Sequence, residues 1–135
     1  MNELTLGARP ENIEVVTEFV NELLDAAGCP VKMRMQIDIA IDEIFSNIAN
    51  YAYGPGGGDA TVQVDTESVP GTVSISFIDS GIPYDPLGAE VPDTGLSADE
   101  RGIGGLGILI VKKIMDDMRY AYRDGKNILT IVKKI

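Results

Sequence analysis

Histidine is absent from this chain of 135 residues, and cysteine occurs once, at Cys29. Without histidine there is no Ser-His-Asp triad, no Cys-His dyad, no His-ligated zinc and no histidine phosphotransfer. A single cysteine excludes an intramolecular disulfide, a CxxC redox pair and a thiolate cluster, and it suits a reducing cytoplasm. Any acid-base chemistry must use Asp, Glu, Lys or Tyr. Positive charge is scarce too: 11 Lys and Arg stand against 21 Asp and Glu, for a net charge of -10. Such a surface repels phosphate backbones and anionic lipid, so direct nucleic-acid binding and basic-patch membrane docking are not expected. A partner protein with a basic face, or a small ligand held locally against the field, fits better. No uncharged run approaches the length of a membrane span, and the N-terminus lacks the basic-then-apolar pattern of a signal peptide.

What is present is an ordinary globular composition, 44% hydrophobic and 24% charged, in a length that suits one domain over 1–135. Leu4-Thr5-Leu6 alternates like a short strand. Ile13, Val16, Phe19, Val20, Leu23, Leu24 and Ala27 recur at helical spacing. Gly28 and Pro30 stop that helix, and Glu11, Glu14, Glu18, Glu22 and Asp25 give it an acidic outer side. A second helix is predicted from about Lys32 to Tyr53, on the stripe Ile37, Ile41, Ile44, Ile48 and Ala52, ended by Gly54-Pro55-Gly56-Gly57-Gly58. Strands are expected at 61–64, through Val73, Ile75 and Phe77, at 119–123 and at 128–132, the last two joined by the hairpin signal Asp124-Gly125. A third helix starts near Gly104 and carries Ile108, Leu109, Val111, Ile114, Met115 and Met118. Between them, about 82–103 reads as a long loop of the kind that forms lids and binding loops. The order predicts an α+β two-layer sandwich: a mostly antiparallel or mixed β-sheet covered on one face by about three helices.

Three places could carry chemistry. On the second helix Gln36, Glu43, Asn47 and Asn50 fall within about 40° of one line, roughly opposite the isoleucines. A solvated polar face would look the same. Yet asparagine is a mediocre helix former, and a carboxylate one turn from an amide oxygen can pair a general base with a ligand for a hard cation such as Mg²⁺. Asp79-Ser80-Gly81 is either a plain strand-ending turn or a rim carboxylate that accepts from an exocyclic amine such as that of adenine. There Gly81 lets a flat ring approach. Finally, Arg101-Gly102-Ile103-Gly104-Gly105-Leu106-Gly107 runs straight into a helix. Backbone N–H groups and the positive end of the dipole make such a run an anion site. It matches G-x-G-x-x-G, but polar Ser97-Ala98-Asp99-Glu100 precedes it instead of a buried strand, and too little chain follows for a doubly wound sheet. The lysine and hydroxyl of a P-loop are missing.

The ordered set of E-x-x-x-N on a helix, a strand ending D-x-G, a lid, and G-x-G entering a helix resembles the ATP-binding (Bergerat) fold of the GHKL superfamily. Within it the chain is similar to the small anti-sigma factor serine/threonine kinases. The carriers are Phe77-Ile78-Asp79-Ser80-Gly81-Ile82-Pro83-Tyr84-Asp85-Pro86, the glycine box Gly104 to Ile108 with Val111 to Asp116, and Arg123 to Asn127 with Leu129-Thr130. The resemblance implies that Glu43 is the general base and that Asn47 ligates Mg²⁺ on the phosphates of ATP. Asp79 takes the adenine amine with Gly81 beside the ring. Gly105, Leu106 and Gly107 offer N–H groups to the phosphates. Arg101 would add charge by its position in the lid, and Thr130 is a further candidate for the adenine end. Asn50 stands where this family often has histidine; its amide does not titrate, so it is counted with the nucleotide-binding residues and no proton relay is implied there. The implied activity is ATP-dependent phosphorylation of a STAS-type anti-anti-sigma protein and sequestration of a sigma factor, by a cytoplasmic homodimer. The competing reading is a nucleotide-gated or nucleotide-free binding module without transferase activity.

Overall fold

The computed structural model describes residues 1–87 and 104–135. Among these residues five strands form one sheet: β1 (Asn2–Gly7), β2 (Asp59–Asp65), β3 (Thr72–Asp79), β4 (Asp117–Arg123) and β5 (Lys126–Lys134). Their order is β1-β2-β3-β5-β4, and every neighbouring pair is antiparallel. The helices are α1 (Ile13–Ala26), α2 (Val31–Asn47) and α3 (Gly104–Ile114). The α+β architecture read from the sequence is the one observed. Among the described residues no helix is long and apolar enough to cross a membrane.

Strand alternation decides which sheet face the helices cover. Val62 and Val64 on β2, Val73, Ile75 and Phe77 on β3, and Leu129 and Ile131 on β5 are all buried. Their neighbours Thr61, Gln63, Ser74, Ser76, Ile128 and Thr130 lie on the other face. Opposite the sheet, Val16, Val20 and Leu24 of α1 and Ile37, Ile41, Ile44 and Phe45 of α2 close the core, with Ile108 and Val111 of α3. These are the predicted stripes. At Gly28 the chain takes φ +74° to leave α1, a left-handed value that glycine adopts without strain. The acidic residues of α1 are exposed, as expected.

The strands run up to two residues beyond their expected ends, and two helix ends differ from the sequence reading. The helix expected to reach Tyr53 is α-helical only to Asn47, and Ile48–Ala52 form a π turn. The wider turn, with i→i+5 bonding, carries the chain out of α2. Hydrophobic spacing does not reveal it, because Ile48 stays on the buried side. Met118, expected on the third helix, belongs to β4: α3 ends at Ile114, where Lys133 Nζ donates to the Ile114 carbonyl at 2.5 Å.

Candidate functional site

Glu43 and Asn47 sit one turn apart on α2, both half-buried. Gly107, near the start of α3, faces Glu43 directly. A Cβ added at Gly107 would collide with Glu43 Oε2 and lie 2.7 Å from Glu43 Cδ. The glycine and the carboxylate are in direct apposition, so the two motifs form one place. A carboxylate beside the first turns of a helix also meets the positive end of its dipole. Gly105 and Leu106 precede Gly107 within the opening turn of α3. Arg101 lies outside the described residues, as does most of the 82–103 segment.

Asp79 ends β3 and is only 6% exposed. Its Oδ1 accepts from the Gly81 N–H at 2.9 Å and from Asn127 Nδ2 at 3.0 Å. Both of these bonds end on Oδ1. Gly81 presses on the end of the π turn: a Cβ there would clash with the Ala52 carbonyl, lying 2.6 Å from its carbon. The Ile82 N–H donates to that same carbonyl at 3.0 Å. α2 and its π extension thus touch both other motifs, Gly107 at Glu43 and Gly81 at Ala52.

Asn50 is exposed on the π turn that follows Asn47. One residue that the sequence places at the site is not brought to it. Thr130 lies on the sheet face away from the helices, its Oγ1 2.8 Å from Ser76 Oγ. Strand parity separates it from Asp79, whose cross-strand partner is Asn127.

Asn127, Tyr53 and Tyr120 were not legible as site residues. Asn127 is 7% exposed and uses all its amide hydrogen-bonding capacity. Nδ2 donates to Asp79 Oδ1 and, at 2.9 Å, to the Ile82 carbonyl; Oδ1 accepts from the Tyr84 N–H at 3.1 Å and from the Tyr120 hydroxyl. Burial pushes the Tyr120 phenol above its ordinary range, with the Asp85 and Asp79 carboxylates adding to the effect, so it remains a donor at neutral pH. Tyr53 spans the π turn and the sheet: its hydroxyl donates to the Asp59 carbonyl at 2.5 Å and accepts from the Ser80 N–H at 2.7 Å. The one sequence signal for Asn127 is a polar residue two places before Leu129 on the inward parity of an apolar strand. Its meaning needs the β3–β5 register.

A half-buried carboxylate and amide on a helix, a glycine-opened helix against them, and a buried acceptor at a sheet rim are thus assembled along α2 in one α+β domain. The chain belongs to the histidine kinase-like ATPase domain family, whose model matches residues 6–133. Among curated relatives, it is 31% identical over 100 residues to the serine/threonine-protein kinase BtrW of Bordetella bronchiseptica, covering 74% of this chain and 70% of that one. It is 24% identical over 132 residues to the serine-protein kinase RsbW of Listeria monocytogenes, covering 93% and 82%. Among solved structures, the RsbU and RsbW domains of a Mycobacterium tuberculosis protein superpose with a TM-score of 0.63 at 16% identity, over 99% of this chain and 32% of that one. The catalytic domain of the histidine kinase ThkA gives 0.51 at 15% identity, covering 99% and 97%. These structures share the fold.

Proposed function

We propose that the protein is an ATP-dependent serine/threonine protein kinase that phosphorylates a STAS-type anti-anti-sigma protein and sequesters a sigma factor. The observation that carries this reading is the seating of Gly107 on the Glu43 carboxylate, which joins a general base to an anion-binding helix start. From Glu43 to Ala52 the helix advances about 12–13 Å. That span suits a nucleoside triphosphate laid along α2, with its base at Asp79 and Gly81 and its phosphates at Gly105, Leu106 and Gly107.

Binding falls to the buried acceptor. Asp79 Oδ2 would accept from the exocyclic amine of adenine, and the absence of a side chain at Gly81 leaves the ring a flat approach. Backbone N–H groups at the start of α3 would face the phosphates. Among the described residues there is no cluster of three or more His, Cys, Asp or Glu able to cage a metal. The donor set fits a hard cation carried mainly by phosphate oxygens and water, with Asn47 supplying one amide oxygen. Mg²⁺ there would neutralise phosphate charge. Glu43 would accept the proton of the attacking hydroxyl, while the surrounding backbone holds the reactants in line. Action on a protein substrate instead of nucleic acid accords with the net charge of -10; the same reading makes the protein a cytoplasmic homodimer.

Glu43→Ala tests the assignment. Loss of the base should lower phosphotransfer to a serine of the STAS protein by about 10²–10⁴-fold, with Mg·ATP affinity nearly unchanged. Full-rate transfer by that variant would remove Glu43 from the mechanism. Nucleotide binding by the native chain with no labelled STAS protein would instead favour a binding module.

A further inference from the structure

We propose that Asn127 is a positioning residue for base recognition: its amide holds Asp79 at Oδ1 and so leaves Oδ2 to be presented to the nucleotide base, and the same amide fixes the chain leaving β3. The inference rests on the reading that Asp79 receives the adenine amine.

A carboxylate at a strand end has freedom about its terminal torsion, and either oxygen can serve as acceptor. Here that freedom is removed. Oδ1 is held by two donors from different segments, the Gly81 N–H and Asn127 Nδ2. Asn127 in turn is held by four partners: Asp79, the Ile82 carbonyl, the Tyr84 N–H and the Tyr120 hydroxyl. Only one of its two amide orientations satisfies all four, since the carboxylate and carbonyl need donors while the N–H and hydroxyl need an acceptor. The chain thus reads Tyr120 to Asn127 to Asp79, with polarity fixed at each step. Ile82 and Tyr84 are joined to the same amide, so the carboxylate and the backbone beyond Gly81 are set together. Such a group discriminates bases: a fixed acceptor favours the 6-amino group of adenine and repels the 6-oxo group of guanine.

Asn127→Asp is close in volume and reverses one function, replacing the donor with a second carboxylate against Asp79. Two facing carboxylates cannot both ionise freely and share a proton as pH falls. The other titratable groups there are Tyr120 and Tyr122 on β4 and Asp85 on the loop; none of these changes charge between pH 6 and 8 at its ordinary value. Affinities for Mg·ATP and Mg·GTP would be measured by calorimetry at pH 8 and pH 6 for the native chain, Asn127→Asp and Tyr120→Phe, with thermal unfolding of each. At pH 8, Asn127→Asp should bind ATP about 10–100-fold more weakly and lose its preference over GTP. At pH 6 part of that loss, relative to the native chain, should return. Equal weakening of ATP and GTP at both pH values would make Asn127 merely structural and overturn the inference. Should Asn127→Asp fail to fold, Tyr120→Phe decides. It deletes one donor to Asn127, and a roughly 2–10-fold loss of ATP affinity with a lower ATP:GTP ratio supports the inference. An unchanged ratio overturns it. A native chain that binds no Mg·ATP defeats the reading of Asp79 and this inference with it. Native binding with indifferent variants defeats this inference alone.

Discussion

A side chain at Gly107 would need the space that the Glu43 carboxylate occupies. The carboxylate is the far end of a flexible side chain, so Gly107→Ala should displace it while changing stability by no more than about 1 kcal/mol in denaturant unfolding, and that displacement should reduce phosphotransfer by at least about tenfold. Equal activity in the variant would show that the contact does not place Glu43. A second residue-scale effect lies away from the site, between α1 and α2. Burial holds the Asp38 carboxyl above its ordinary range, opposed by the Asn21 side chain and the Arg34 charge. Its Oδ1 is buried without a partner. The folded chain then binds this proton more tightly than the unfolded chain, so stability falls as pH rises through the window between the two values. Asp38→Asn should raise Tm at pH 7 and bring no gain near about pH 3, where both states carry the proton. A Tm unchanged at pH 7 would mean that the carboxylate is solvated at no loss.

At the scale of elements, α2 and its π turn bind the site together, because one end meets Gly107 and the other meets Gly81. The helix itself was readable: Ile37, Ile41, Ile44 and Ile48 are buried as their spacing requires. The π turn was not, since one turn of wider bonding leaves the apolar sequence pattern intact. The β4–β5 hairpin was readable from Asp124-Gly125, which take φ 53° and 76°. Those values suit a turn that needs positive φ at both central residues. Gly125→Ala should lower stability by about 1–2 kcal/mol and, because the turn lies outside the site, leave Mg·ATP affinity within about twofold of native. A large loss of affinity would show that the hairpin sets Asn127.

The whole molecule offers the most direct check, since a ligand that binds only the folded chain stabilises it by mass action. Mg·ATP at about 100 times Kd should add about 2.7 kcal/mol, or roughly 10 °C in Tm for a domain of this size. Asp79→Asn should abolish that rise, because the amide no longer offers a charged acceptor to the base. No rise in the native chain at millimolar Mg·ATP would retire the nucleotide site altogether. The overall charge belongs to this scale as well. With a net charge of -10, the long-range field repels nucleotide, so binding has to come from local N–H groups and the cation, and affinity should depend on Mg²⁺.

Periodicity, turn chemistry and motif order settle the α+β class and the buried stripes and single out Glu43, Asn47, Asp79, Gly81 and Gly107, because these are properties of neighbours along the chain. The antiparallel order β1-β2-β3-β5-β4 lies beyond them. It sets Asn127 opposite Asp79 and sends Thr130 to the other face, a pairing across 48 residues that depends on strand register. A one-residue slip would exchange those two outcomes. Local sequence specifies which side chains can do chemistry; the packing of distant strands and one widened helical turn specify which of them meet.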